Sequence, residues 1–502
     1  MSCLKVLPAT LCLWGFLALR VVFAADTYAP ATQSLFIPSV QVGLATYADV
    51  QLSLVGGFQV LNATEVQNAA PPPSSVATTD VYDAADGLLT IPLVSVGSVT
   101  YQNVEIRLAG RPKVLSVGGC TGRCTSATPA NAVPLVVDFG PMYRGQFLTG
   151  NSAVNNIAYT NITLCIPGTE TCQNFDHIQV DTGSSGVRVM ASVLMPGLNL
   201  QPVTSGGQQV FECLQYVSSY NWGSVRMADV KIGGEIVRNI PIQIIGDSTT
   251  IPLTCSSSGG APTNDIPSFG ANGIIGIGNF VYDCGMTCTQ VSTISGGGGY
   301  YTCVAGLCQQ AGLPLNQQVV NPVAFFTSQD TDGTVITFPA LPPDGAASLA
   351  GSLTFGIDTA SNNGLGSAVI FSVDSSSGYL TTYYEGQYLS YSFTDSGSSA
   401  LFFNTSNIAI CASDGTSYCP AQPVTVQATN MGQNGVSGPV SSTVANADIL
   451  YGSTTLSAFN LGISTTSGNS FDWGLPFFFG RSVFTAIEGR QAGPIAGPYV
   501  AY

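Results

Sequence analysis

Two short stretches, far apart in the chain, set the terms for what it can fold into. Residues 175–190 read FDHIQVDTGSSGVRVM, and residues 391–403 read YSFTDSGSSALFF. Each runs an apolar strand into an Asp, a hydroxyl residue, a Gly and two Ser. A single such loop reads as a turn. Two matched copies call for a fold that brings both loops together across an internal twofold axis. Gly183 and Gly397 permit that approach, because a Cβ at either position would hold the carboxylates apart. Thr182 and Ser396 can each bond across to the opposite loop, and Ser184 and Ser398 can each donate to the outer oxygen of their own carboxylate. Carboxyls about 3 Å apart cannot both ionise; Asp181 and Asp395 would share one proton and titrate as a unit.

The rest of the chain fits an all-β frame for such loops. From about Pro134 onward, short β-branched and aromatic runs alternate with Gly, Ser, Asn and Asp clusters, and 3.6-residue periodicity is almost absent. Only 8% of residues are charged, with 28 acids against 13 bases and a net charge of -15. That balance argues against nucleic acid and anionic membrane surfaces as partners, since both require basic patches. It suits an acidic milieu, where protonation relieves self-repulsion.

The N-terminus reads MSCLKVLPATLCLWGFLALRVVFAADT, with Lys5 ahead of an apolar run and Ala24 and Ala25 after it. The layout predicts a signal peptide over 1–24, and hence a secreted, periplasmic or cell-surface protein with no other membrane association. Twelve further cysteines suit an oxidising compartment. Cys120 and Cys124, Cys165 and Cys172, and Cys411 and Cys419 fall in close pairs. Cys284, Cys288, Cys303 and Cys308 form a quartet of open connectivity, and Cys213 and Cys255 remain. The quartet's spacing is a poor match to a zinc ribbon, so neither metal nor cofactor is expected.

Within 25–125 two segments recur at one constant offset: Ile37, Pro38, Val42, Gly43, Thr46, Tyr47, Val50 and Leu54 match Ile91, Pro92, Val96, Gly97, Thr100, Tyr101, Val104 and Leu108. Each copy reads as a hairpin, with the stiff linker Pro71-Pro72-Pro73 between them. No acid, His or Cys recurs at matched positions. This module is expected to space or attach, not to catalyse.

The paired loops resemble those of the pepsin-type, two-lobed aspartic proteases, in which each lobe supplies one Asp-Thr/Ser-Gly loop. The arrangement is also similar to an uncharacterised family of exported bacterial proteins carrying Asp-Thr-Gly-Ser-Ser-Gly. The protease resemblance implies a bilobal all-β body, with 126–350 as the first lobe and 351–502 as the second. It implies that Asn272-Gly273-Ile274-Ile275-Gly276 and Phe478-Phe479-Gly480 are the paired braces behind the active loops. It implies that the run GSLTFGID, 351–358, passes between lobes, and that 216–234 is a flap hairpin carrying Tyr216. Val217, Ser218 and Ser219 stand where the flap has smaller neighbours. Arg188 replaces an aromatic residue that bonds the flap tyrosine in that family, and as a cation it would either depress the pKa of the dyad or point to solvent.

The implied activity is a secreted aspartic endopeptidase acting at acidic pH on peptide or protein substrates, through a water held between Asp181 and Asp395. Two alternatives stand beside it: a catalytically silent relative that binds peptide or another ligand in the inter-lobe cleft, and a structural surface β-protein. The single His, His177, has no Gly-x-Ser-x-Gly nucleophile to serve, so a serine hydrolase is excluded and a packing or hydrogen-bonding role is expected. Oligomeric state is not legible in the sequence.

Overall fold

The computed structural model describes residues 131–502 except 145–147, 149–153, 258–259, 292–297, 343–344, 454 and 466; before them it describes 26–29, 34–42, 45–53, 58–66, 80–83, 87–96, 99–108, 113–116 and 119–122. The predicted signal peptide, the proline linker and Cys124, hence the Cys120 and Cys124 pair, lie outside the described residues. The architecture is all-β and bilobal, with four short α-helices among the described residues.

The two N-terminal repeats fold as hairpins of matching register. Ser34–Val42 pairs with Ala45–Ser53, placing Ile37 opposite Val50, and Leu88–Val96 pairs with Val99–Leu108, placing Ile91 opposite Val104. Period-2 alternation sends Leu35, Ile37, Val50 and Leu52 of one copy against Leu89, Ile91, Val104 and Ile106 of the other. The copies also exchange strands. Phe58–Val66 crosses to pair with Val99–Leu108, and Lys113–Ser116 crosses to pair with Ala45–Ser53. Neither repeat completes its sheet alone.

From Ala132 onward an 18-stranded sheet gathers the strands up to Ile370–Ser372 together with Ser482–Ala486 and Tyr499–Ala501. A separate 7-stranded sheet is built from strands between Leu380 and Trp473. Leu349–Phe355, which contains most of the expected crossing run, pairs on one side with Ala132–Val137 and on the other with Gly333–Thr337.

Each lobe frames its active loop with the same crossing. Cys172–Asp181 enters parallel to Gly273–Ile277, and Ser185–Met190 leaves antiparallel to it. Gln387–Thr394 enters parallel to Asp472–Trp473, and Leu401–Phe403 leaves antiparallel to it. The first brace is the predicted one. The second is not: Leu475–Phe478 is a helix and Gly480, at φ +79°, is the turn that follows it. The brace is Asp472-Trp473-Gly474, and Gly474 has its reason in space, since a Cβ there would drive into the Ala400 carbonyl oxygen. Three consecutive phenylalanines beside a glycine imitate the apolar-apolar-glycine pattern, whereas an Asp in the true brace conceals it.

Asn156 locks the first sheet to the loop behind Asp395. Fully buried and at φ +51°, a region Asn tolerates better than most residues, it donates from Nδ2 to the carbonyls of Ser399 at 2.8 Å and Phe459 at 2.9 Å. Its Oδ1 accepts from the Phe459 N–H at 2.6 Å. Asn156→Ala strands all three partners in the interior and should cost about 2–4 kcal/mol, read as a lower midpoint in urea denaturation. An unchanged midpoint would remove Asn156 from this role.

Candidate active site

The two loops meet through reciprocal bonds. The Thr182 N–H donates to Ser396 Oγ at 3.1 Å, and the Ser396 N–H donates to Thr182 Oγ1 at 3.0 Å. Each hydroxyl then donates onward, Thr182 to the Thr394 carbonyl at 3.4 Å and Ser396 to the Val180 carbonyl at 2.8 Å. Each of these four bonds has its counterpart in the other loop. Gln179 adds a further tie, donating from Nε2 to the Gly397 carbonyl at 2.9 Å.

This grip brings Asp181 and Asp395 face to face, close enough for the charge of Asp395 to act on Asp181. Gly183 and Gly397 donate their N–H groups to Oδ1 of their own loop's Asp, each at 2.7 Å. Ser184 donates to Asp181 Oδ2, and Ser398 to Asp395 Oδ2 at 2.8 Å. Only glycine fits between. A Cβ on Gly183 would lie 2.7 Å from Asp395 Cγ, and one on Gly397 would lie 2.5 Å from Asp181 Oδ1. Burial, reinforced by the charge of Asp395, holds Asp181 well above the usual carboxylate range. The pair therefore retains a proton at pH values where isolated aspartates have lost theirs.

Tyr216 sits at the tip of the expected hairpin, between Gln208–Gln215 and Ser219–Ile232. Its N–H closes the turn on the Ser219 carbonyl at 2.8 Å, and Val217 projects beyond it, 98% exposed. The Tyr216 ring lies half-buried, near enough for the charge of Asp181 to act on its hydroxyl. That hydroxyl donates to Asn221 Oδ1 at 2.9 Å, within the same hairpin. The hairpin is also braced on both sides. Gly299–Val304 extends its sheet along Gln208–Gln215, Ala261–Pro262 pairs beside its return strand, and the Cys213–Cys255 disulfide ties it close to the tip.

Arg188 does neither of the two things expected of it. It is wholly buried, out of reach of solvent, and its guanidinium turns to Glu212 and Asp283, with Nη2 at 2.6 Å from Glu212 Oε1 and 3.2 Å from Asp283 Oδ2, while Nη1 donates to the Ser185 carbonyl at 2.8 Å. Tyr300 completes the group by donating to Asp283 Oδ1 at 2.7 Å. One cation thus links the strand leaving the Asp181 loop, the hairpin strand that carries Glu212 and the loop that carries Asp283. Glu212 and Asp283 stand in separate stretches of weak local pattern, and nothing short-range in the sequence announces them.

His177 meets the structural expectation. It is buried at φ +47°, with Nδ1 at 2.9 Å from Asp176 Oδ2 and Nε2 at 3.5 Å from Asp138 Oδ2, the latter a Coulombic contact too long for a good hydrogen bond. The five disulfides among the described residues are Cys165–Cys172, Cys213–Cys255, Cys284–Cys288, Cys303–Cys308 and Cys411–Cys419, which resolves the quartet into two neighbouring pairs. Asp472, an unforeseen third carboxyl, reaches the site from the second brace, its Oδ2 at 2.6 Å from Ser398 Oγ.

These environments set a pH optimum for stability. Burial alone would lower the His177 pKa, but the Asp138 and Asp176 carboxylates raise it to about 10, so its stabilisation is complete below about pH 6.5 and fades as pH climbs toward that value. Burial holds Asp181, Asp283 and Asp472 well above the usual range and lifts Asp332 to about 6; their contribution favours the fold in acid and is lost from about pH 4 upward. Asp374, held down at about 2 by the Ser376 and Ser377 hydroxyls and N–H groups, acts in the opposite sense and is lost below about pH 4. Tm should peak at about pH 4–5 and decline steadily toward pH 10. His177→Gln should flatten the alkaline part of that decline. A Tm maximum at pH 8 would contradict both.

A family model described as Protein of unknown function (DUF3443) matches residues 127–502. No curated protein matches the chain. Among solved structures 297 chains match, one being an aspartic proteinase from Irpex lacteus, at 14% identity and a TM-score of 0.41, with 74% of this chain and 96% of that chain covered.

Proposed function

The chain belongs to this family of unknown function, and we propose that it is an exported aspartic-type endopeptidase in which Asp181 and Asp395 hydrolyse peptide bonds through a shared water. The observation that carries the reading is the reciprocal Thr182 and Ser396 grip, which serves to hold the buried Asp181 and the partly buried Asp395 together around one proton. Facing two acids at short range, one of them buried, is costly.

The chemistry follows from that single proton. The ionised member of the pair takes a proton from the water as its oxygen attacks the peptide carbon, and the protonated member donates to the carbonyl oxygen. The tetrahedral gem-diol collapses when the pair gives its proton to the amide nitrogen and takes one back from a diol hydroxyl as the C–N bond breaks and the new carboxyl forms, which returns the pair to its singly protonated state. No covalent enzyme intermediate forms. Gly183 and Gly397 N–H groups and the Ser184 and Ser398 hydroxyls fix both carboxyl planes beforehand, so little reorganisation is left for the transition state. The flap carries Tyr216 over the pair and excludes bulk water. Export is supported by the five disulfides, which a reducing cytosol would not maintain.

One observation favours a second reading, a silent peptide binder. The flap is braced by two extra strands and a disulfide, and Tyr216 is bonded inside its own hairpin. A lid so held can admit a ligand without closing fully over it.

A casein digestion series from about pH 3 to 7, with and without a statine-type inhibitor, separates the two. The protease reading expects inhibitor-sensitive cleavage in the acid half of the range, and Asp181→Asn should lower kcat at least about 1,000-fold with Tm unchanged or raised. Tight peptide binding without cleavage at any pH would favour the binder. Gly183→Ala should abolish cleavage as well, since the added Cβ drives into the Asp395 carboxyl.

A further inference from the structure

The second brace places a third carboxyl in line with the pair. Asp395 Oδ2, Ser398 Oγ and Asp472 Oδ2 follow one another at 2.8 Å and 2.6 Å, both within hydrogen-bond distance. A serine hydroxyl carries one hydrogen and can fill only one of the two contacts as donor. The other contact must be filled by a carboxylic acid. Asp395 already has a donor of its own in the Gly397 N–H, at 2.7 Å from Oδ1. Asp472 has no second donor: it is 8% exposed, and its Oδ1 lacks any hydrogen-bond partner. A carboxylate so placed would leave a buried charge uncompensated, whereas the neutral acid needs only the one bond it can donate.

We propose that Asp472 is a third, protonated member of the active-site chain: it donates to Ser398 Oγ, which thereby directs its own hydrogen onto the outer oxygen of Asp395. Asp472 is a positioning residue, acting on the reaction through Ser398. The inference rests on the endopeptidase reading for its kinetic consequence, although the protonation itself does not. The matched position of the first lobe is Ile274, one residue before Ile275 and two before Gly276 in the brace, so the device belongs to the Asp395 side alone.

Among the described residues, the surroundings leave Asp472 no cation to ionise against. The charged groups acting on it are Asp395 and Asp181, both acidic. The packed strands Gln387–Thr394 and Leu401–Phe403 offer as titratable groups only Tyr388 and Tyr391, both exposed, and the helix Leu475–Phe478 offers none. Burial and the two neighbouring carboxyls push Asp472 well above the usual range. When it does lose its proton, the Ser398 hydrogen turns toward it, Asp395 loses a donor, and a second negative charge appears beside the pair. Two protons then leave the site on the alkaline side where an isolated pair would lose one.

Carbon-13 NMR of aspartate-labelled full-length protein tests the protonation, with the Asp472 carboxyl signal identified by its disappearance in Asp472→Asn. At about pH 6, two units above an ordinary aspartate, the signal should still stand at the neutral position. A signal already at the ionised position overturns the proposal, whatever the protein does to casein. The kinetic arm compares pH profiles. Asp472→Ala should lower kcat roughly tenfold, the scale of one hydrogen bond to a charged group, with KM little changed. Asp472→Asn, whose amide can still donate to Ser398, should recover most of that loss in acid and show a shallower alkaline limb than the native protein. Equal damage in the two variants, or superimposable limbs for Asp472→Asn and native protein, would also overturn it. If the native protein cleaves nothing at any pH, the endopeptidase reading fails, and the NMR titration still decides the state of Asp472.

Discussion

The hydroxyls of Thr182 and Ser396 are the point on which the rest of the structure turns. Two carboxyls in contact repel as soon as both ionise, and each prefers water to a buried site. Something must therefore fix them at short range without adding charge. Neutral hydroxyls bonded crosswise to the opposing loop's backbone do this, because each is oriented by one bond it accepts and one it donates. Individually such bonds contribute about 1 kcal/mol. Their effect is geometric: they make the distance between the two acids a property of the backbone.

A backbone can hold that geometry only if it is held from behind. In each lobe the strand that enters the loop and the strand that leaves it share one brace, parallel to the first and antiparallel to the second. Glycine is needed wherever these chains pass closest. Gly276 would otherwise press on Ser184, and Gly474 on the Ala400 carbonyl. Asn156 then bonds the first sheet to the carbonyl of Ser399, one residue beyond the Ser that orients Asp395. The position of one carboxyl is thus coupled to the other through covalent chain and hydrogen bonds at nearly every step.

How much of this the sequence discloses depends on the range of the contact concerned. The active loops, the first brace, the flap hairpin and the repeat are legible, because each is written within one short segment or copied at fixed spacing. Ile37 opposite Val50 and Ile91 opposite Val104 are one register seen twice. The second brace misleads, since Phe478-Phe479-Gly480 has the expected pattern and Asp472-Trp473-Gly474 breaks it with an acid. Arg188 is visible as an oddity, but its partners Glu212 and Asp283 are not. Their meeting depends on how three strands stack, and no local signal records that. The extra strand along the flap, Gly299–Val304, is hidden for the same reason: it pairs with a strand far earlier in the chain.

The grip is symmetric, yet the proposed chemistry needs a general acid and a general base that differ. If the two lobes presented identical environments, the shared proton would have no preferred carboxyl, and only the substrate could distinguish them. Here the surroundings break the tie. Behind Asp181 the return strand carries Arg188, whose charge is consumed by Glu212 and Asp283 and so does not reach across to neutralise the pair. Behind Asp395 stands Asp472, bonded through Ser398. A neutral Asp472 adds a polarised donor on the Asp395 side that the Asp181 side lacks. The inequality that the proposed acid–base chemistry requires would thus come from residues just behind the symmetric loops, in positions where the two halves of the fold differ.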